Sequence, residues 1–277
     1  MGQEAHVVGL HVLGTDVDVH VTGTDAEGTA AAISERWHLA LRDTEPADPA
    51  AVRVVETGVV AEGEQQTPWA RSESTVQDSD LRRLLQRLTQ SITYAVIGAR
   101  SGELLMLHAA ALSDPRTGAT AAFVAPGNTG KTTLCRTLGP GRCYVTDETM
   151  GVRRDGTVVP YLKPLSTRRP DWSGVKDEQA PAALGLRAPE TTPWLAGLVI
   201  LRRDAAHEGA PAVEDLDLLD AVLAITPESS AFMKTDRPLR WLADVVGRTG
   251  GARRVTYAEA ADLEPLVAEI CARTSPW

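Results

Sequence analysis

The chain has 277 residues, enough for one large domain or two modest ones with a sizeable core. Acidic residues outnumber basic ones 37 to 28, giving a formal net charge of −9, which argues against a general nucleic-acid binder or a polybasic membrane anchor. No apolar run reaches the ~20 residues of a membrane span.

The first residues, MGQEAHVVG, carry no basic stretch followed by an apolar segment, so no secretion signal is read. His6 stands where an N-myristoylation signal needs Ser or Thr. From His6 to Val21 apolar and polar residues alternate about Gly14-Thr15, which predicts a β-hairpin. Thr24 or Asp25 is placed to cap a helix from Ala26 to Leu41, with Ala32, Ile33, Trp37 and Leu41 on one face. Ala51–Val55 and Val59–Ala61 read as short strands, and Glu62–Asp80 as a polar loop. Asp80 then caps an amphipathic helix to Ile97, with Leu81, Leu84, Leu85, Leu88, Ile92 and Val96 at helical spacing and Arg82, Arg83 and Arg87 on a solvated face. Leu104–Leu112 is an apolar strand interrupted by His108, and Asp114–Gly118 turns the chain.

Thr120–Val124 reads as a buried strand, Ala125–Thr133 is APGNTGKTT, and Leu134–Leu138 opens a helix. Strand, glycine-containing loop and Gly-Lys-Thr helix start together make a phosphate-binding loop. Its amides and the helix N-terminus point at an anion, Lys131 adds a charge for the β- and γ-phosphates, and the Thr132 hydroxyl can ligate Mg²⁺. Ala125 replaces the first glycine of the GxxxxGK[ST] pattern; Gly127 and Gly130 remain.

Beyond the loop, Cys143–Thr146 is a short strand closed by Asp147 and Glu148. Acids at a strand end beside a phosphate loop suit two tasks, holding Mg²⁺ and accepting a proton from an attacking hydroxyl. Which acid takes which task is open at this point. Gly151–Arg153 and Thr157–Tyr161 flank the Asp155-Gly156 turn, and Lys163, with Arg168, Arg169, Arg202 and Arg203 as further cations, could neutralise charge on a phosphoryl group. Pro170–Pro193 reads as a long loop. Leu195–Leu201 reads as a buried strand, Asp215–Ile225 and Pro238–Val246 as helices, Arg253–Tyr257 as a strand and Ala258–Ala272 as the last helix. In the Pro238–Val246 helix, Leu239, Leu242, Val245 and Val246 are expected inward. Cys135, Cys143 and Cys271 form no CxxC and read as reduced core residues of a cytoplasmic protein.

LLMLHAAAL with His108, then APGNTGKTT, YVTDE and PYLKPLS, in that order, resemble the catalytic domain of HPr kinase/phosphorylase and the phosphoenolpyruvate-carboxykinase-like class. More narrowly they resemble HPr-kinase-like proteins encoded beside ribosomally made peptides, including lasso-peptide precursor kinases. The resemblance implies an α/β fold with a P-loop catalytic domain over 100–277, of mixed sheet and flanking helices; it does not extend to residues 1–99, which read as an α+β N-terminal domain with substrate recognition as a candidate role. It implies ATP phosphates on Gly127, Asn128, Thr129, Gly130, Lys131, Thr132 and Thr133 and Mg²⁺ near Thr132 and Asp147. It puts His108 at the catalytic histidine, Asp147 and Glu148 at the family's paired aspartates, and Lys163 in the relatives' KPL motif.

The expected activity is ATP- and Mg²⁺-dependent phosphorylation of a Ser or Thr hydroxyl on a peptide or small protein, with no nucleic-acid or membrane partner. A homo-oligomer is among the expectations. The alternatives are a kinase for a small molecule such as free serine and a non-catalytic nucleotide-binding regulator.

Overall fold

Alternating apolar residues build the first hairpin in the computed structural model, which describes residues 6–62, 74–169 and 174–276. Strands β1 (His6–Val12) and β2 (Thr15–Gly23) pair antiparallel, and Val17, Val19 and Val21 all turn to the core. Leu13 and Gly14, at φ 51° and 70°, supply the two left-handed residues of a tight two-residue turn. The reading of the extreme N-terminus concerns residues 1–5, outside the described residues.

Helix α1 (Ala26–Arg36) starts at Asp25, whose carboxylate accepts from the Gly28 amide at 3.1 Å. It stops short of the expected Leu41. A 3₁₀ turn, His38–Ala40, follows, so Ile33 and Trp37 are buried but Leu41 is exposed. One strand, β3 (Arg53–Val59), replaces the two short ones expected, and it lies parallel to β2. Of the expected loop over Glu62–Asp80, residues 63–73 lie outside the described residues. Thr75–Asp78 forms strand β4, which completes the sheet β1-β2-β3-β4.

Helix α2 (Leu81–Ala99) is capped by Asp80, and its face of Leu84, Leu85, Leu88, Ile92 and Val96 is buried. Its basic residues are not a solvated face. Arg87 is buried and donates to Gln77 O at 2.9 Å and Asp78 Oδ2 at 3.2 Å, while Arg83 Nε reaches Asp78 Oδ2 at 2.7 Å. Burial pushes the Asp78 carboxyl up, but hydrogen bonds from Arg83, the Asp80 amide and Arg87 outweigh it and hold the group below the usual carboxylate range. A depressed folded pKa stabilises the fold above the unfolded Asp value of about 3.9, and that contribution is lost as pH falls through the folded value. Asp78→Ala strands a buried guanidinium and is expected to cost about 3 kcal/mol at pH 7 in urea denaturation. The gap to wild type should narrow in acid.

Strand β5 (Leu105–Ser113) runs antiparallel to β6 (Ala119–Val124), and β6 leads into helix α3 (Lys131–Leu138). After α3 come β7 (Cys143–Thr146), β8 (Thr149–Val152) and β9 (Val158–Val159). Both β7 and β8 pair with β5, one after the other along its length, with a bend between them at Asp147-Glu148.

The expected long loop over Pro170–Pro193 is only partly irregular. Residues 170–173 lie outside the described residues, but β11 (Asp177–Gln179) pairs antiparallel with β10 (Leu165–Thr167), and Pro181–Leu184 forms a 3₁₀ turn. Polar anchors order this stretch. Glu178 accepts from Ser166 Oγ at 2.7 Å and from Thr89 Oγ1 at 3.2 Å, and Gln86 Oε1 accepts from the Lys176 amide at 2.9 Å.

The remaining elements are β12 (Trp194–Arg203), β13 (Ala212–Leu216), α4 (Leu218–Ile225), β14 (Ser229–Ser230), α5 (Pro238–Arg248), β15 (Ala252–Tyr257) and α6 (Glu264–Cys271). Asp215 and Leu216, expected in a helix, belong to β13, because Asp217 is the residue that caps α4. Leu239 on α5, expected inward, is exposed, and Trp241 is buried. The last helix begins at Glu264 after a 3₁₀ turn, Ala260–Leu263.

The chain gathers into two compact units, residues 1–100 with 162–184, and residues 101–161 with 185–277. The expected second domain, 100–277, thus loses 162–184 to the first unit. The second unit carries a sheet of nine strands, ordered β13-β15-β12-β6-β5-β8-β9, with β7 and β14 also joined to β5. β6, β12 and β15 are parallel while β5 and β13 run against them, so the architecture is α/β with mixed sheets and, among the described residues, six α-helices. No helix of the described residues is long and apolar enough to cross a membrane. Cys135, Cys143 and Cys271 are buried free thiols.

Candidate active site

Ligands of open parallel sheets gather beyond the carboxyl ends of the strands. The loop Ala125–Gly130 leaves the carboxyl end of β6 in that position. Asn128 and Gly130 turn it with φ of 67° and 100°. A side chain on Gly127 would meet nothing within 4 Å, so the loop's outer face is open. Gly130 caps α3 without a side-chain hydrogen bond, which leaves the first amides of the helix for an anion. The Thr129 hydroxyl donates to Pro126 O at 2.8 Å, and Tyr257 OH donates to Thr129 O at 3.1 Å, so the loop is braced from within and from β15. Lys131 Nζ donates to two carbonyls of the same loop, Ala125 O at 2.6 Å and Pro126 O at 2.9 Å. Ala125 in place of glycine costs nothing visible: it is absent from the left-handed residues, and its amide donates to His108 O at 3.2 Å.

The two acids diverge at the bend between β7 and β8. Asp147 is only 3% exposed; Oδ2 accepts from the Thr132 hydroxyl at 2.7 Å and Oδ1 from the Tyr144 hydroxyl at 2.9 Å. Burial, and after it the Asp147 charge, raises the Tyr144 phenol well above its ordinary pKa, so it stays a donor throughout the working pH range. Glu148 turns the other way, with Oε1 3.7 Å from His108 Nε2 and its side chain 42% exposed. The bend is pinned on both sides: the Glu148 amide donates to Thr146 Oγ1 at 3.1 Å, and Glu148 O accepts from the Ala109 amide at 3.0 Å. Both acids lie in the bend between the strands, and the bend splits the pair between two sets of neighbours.

His108 is half-buried on β5. Its Nδ1 lies 3.1 Å from Glu228 Oε2. Thr132 and Asp147 are both hard oxygen donors and fit Mg²⁺ shared with phosphate oxygens, since that ion keeps few protein ligands. Thr133, the third residue of α3, is exposed. On the far side of the loop a cavity of about 430 Å³ is lined by Pro126, Asn128, Thr129, Leu201, Arg202 and Arg203. Arg203 is held by Ala258 O at 3.1 Å and by Glu259 at 3.6 Å.

Of the residues singled out by sequence, the second unit brings together His108, Glu148 and the start of the loop, and likewise Thr132 and Asp147. Lys163 belongs to the first unit, fully buried, with Nζ donating to Pro164 O at 2.9 Å. Its assignment to the site rests on the sequence reading alone. Arg169 pairs with Asp177 at 3.6 Å, also within the first unit. Tyr144, Tyr257 and Glu228 were not anticipated. Tyr144 sits three residues before Asp147, a spacing that meets only because the chain bends, and Glu228 lies 120 residues from its partner.

No family model matches the chain, and no curated protein matches it. Among solved structures it is similar to the Hpr(Ser) kinase/phosphatase from Coxiella burnetii, at 13% identity, covering 60% of this chain and 92% of that one, with a TM-score of 0.32. A likeness that loose carries no argument, and the functional reading stands on the site itself.

Proposed function

We propose that this protein is an ATP- and Mg²⁺-dependent kinase that transfers the γ-phosphoryl group to a Ser or Thr hydroxyl of a peptide or small protein. The 2.7 Å bond between Thr132 and Asp147, at the start of the Gly-Lys-Thr helix, carries this reading. A hydroxyl and a carboxylate joined there make a metal subsite beside an anion-binding loop. Thr132 and Asp147 would hold Mg²⁺, which would supply positive charge against the phosphates.

The chain's own residues divide the rest of the work. The loop amides bind the phosphates, and Lys131 exchanges its two carbonyl partners for phosphate oxygens. Asp147, with both oxygens engaged and almost no exposure, serves the metal. Glu148 is exposed and takes the proton from the acceptor hydroxyl. The acceptor oxygen bonds to Pγ, the bond from Pγ to the bridging oxygen of the β-phosphate breaks, and ADP leaves. The cavity beside Arg202 and Arg203 accommodates the nucleoside. The unit built from residues 1–100 and 162–184 recognises residues around the acceptor. The protein works in the cytoplasm, which supplies ATP and keeps the thiols reduced.

The resemblance to kinases beside ribosomally made peptides makes such a precursor peptide the first acceptor to try. Incubated with ATP and Mg²⁺, the protein should add one phosphoryl mass to the peptide, placed on Ser or Thr by fragmentation. Equal turnover of free serine would move the assignment to a small-molecule kinase. ATP binding with transfer to no acceptor would leave a regulatory nucleotide binder.

A further inference from the structure

Strand β5 meets different neighbours on either side of His108. From Ala109 onward its edge pairs with β6, and before it Leu107 and Met106 pair with Ser229 and Ser230 of β14. His108 therefore sits where the phosphate loop leaves the sheet and β14 joins it. Glu228 is the residue just before β14, at the end of the 3₁₀ turn Thr226–Glu228 that follows α4. Backbone pairing on one side and the helix on the other hold its carboxylate at His108 Nδ1, 3.1 Å away and 19% exposed.

A carboxylate only accepts hydrogen bonds, so Nδ1 must carry the proton in this contact. The hydrogen bond at one ring nitrogen fixes the state and aim of the other. With Nδ1–H committed to Glu228, Nε2 is presented to Glu148 across 3.7 Å. We infer that Glu228 is a positioning residue: it locks the Nδ1–H form and the orientation of His108, so that Nε2 stands as an acceptor beside Glu148, placed for the proton that Glu148 takes from the acceptor hydroxyl. The inference rests on the kinase reading for its catalytic consequence but not for its structural one. The logic matches that of a buried carboxylate behind a catalytic histidine, where the wrong tautomer, not lost charge alone, slows the reaction.

Two measurements on the full chain test it. Kinetically, Glu228→Ala should lower kcat about 100-fold with KM for ATP within about two-fold, because the Glu228 carboxylate is engaged with His108 and is given no role in holding the phosphates. In a His108→Ala background the same substitution should cost nothing more, the mark of a residue that acts through another. Glu228→Gln, whose amide oxygen can accept the same bond, should recover most of the rate. Additive losses in the double variant would overturn the inference. Independently of any substrate, nitrogen NMR of ¹⁵N-histidine-labelled protein should show His108 protonated at Nδ1 in wild type and Glu228→Gln, but not in Glu228→Ala. An unchanged tautomer in Glu228→Ala would overturn it too. Absence of transfer to any acceptor, with the tautomer shift intact, would instead count against the kinase reading and leave the hold of Glu228 on His108 standing.

Discussion

Lys131→Ala is expected to lower phosphoryl transfer by about 1,000-fold, the largest effect of any single substitution in the loop. The ammonium is the one side-chain charge that the loop itself supplies, and no amide replaces it as charge grows on the leaving oxygen. Its ammonium donates to two loop carbonyls, Ala125 O and Pro126 O, and Pro126 is exposed, so water can take over there. The melting temperature should therefore change little while the rate collapses. Lys131→Arg should not rescue, because a planar fork cannot replace a compact ammonium inside a tight loop. Steady-state kinetics beside a thermal melt decide the matter. Retained activity in Lys131→Ala would remove the phosphate loop from the mechanism.

Asp147→Asn is expected to cost about as much, but with a different signature. The carboxylate accepts from Thr132 and Tyr144 at once, and the amide offers one acceptor oxygen and no charge. Transfer should fall several hundred-fold and more, and the Mg²⁺ concentration needed for half-maximal rate should rise sharply. Metal-free nucleotide binding, read by calorimetry, should be nearly unchanged. Burial is the first cause of the raised Tyr144 pKa, so the phenol should remain protonated in the variant, with no more tyrosinate absorbance at alkaline pH than wild type shows below unfolding. An unchanged Mg²⁺ requirement would mean that Asp147 braces Tyr144 and Thr132 and serves no metal.

The parts of this site that could be read from the chain are those encoded locally. A strand, a Gly-Lys-Thr turn and a helix follow each other within Ala119–Leu138, and short-range chemistry suffices to build them. The first hairpin, whose turn falls at Leu13-Gly14 and not at the expected Gly14-Thr15, and the caps at Asp25 and Asp80 are likewise local, since each is a side chain meeting an amide three residues on or a turn of two. What escaped depends on distant segments. β4 and β11 are short, polar strands whose partners, β3 and β10, decide their state, so no periodicity marks them. Arg87 looks like a solvated helix residue until Asp78 of β4 is placed beneath it. The opposite fates of Asp147 and Glu148 follow from a bend that exists because β7 and β8 share β5. Glu228 shows nothing in its own neighbourhood of sequence, because only the pairing of β14 brings it to His108.

The excursion of residues 162–184 has a consequence for synthesis and dissection. During translation the N-terminal unit emerges with Thr89 and Gln86 still lacking their partners, and it must wait until Lys176 and Glu178 have left the ribosome. By then β5 to β9 of the other unit are already out but without β12, the partner of β6, and without β15, the partner of β12. Neither half can finish before the chain has passed back and forth, so a stop codon after Arg100 cannot yield a self-sufficient fragment. Splitting this protein into independent modules calls for circular rearrangement of the gene, not simple truncation.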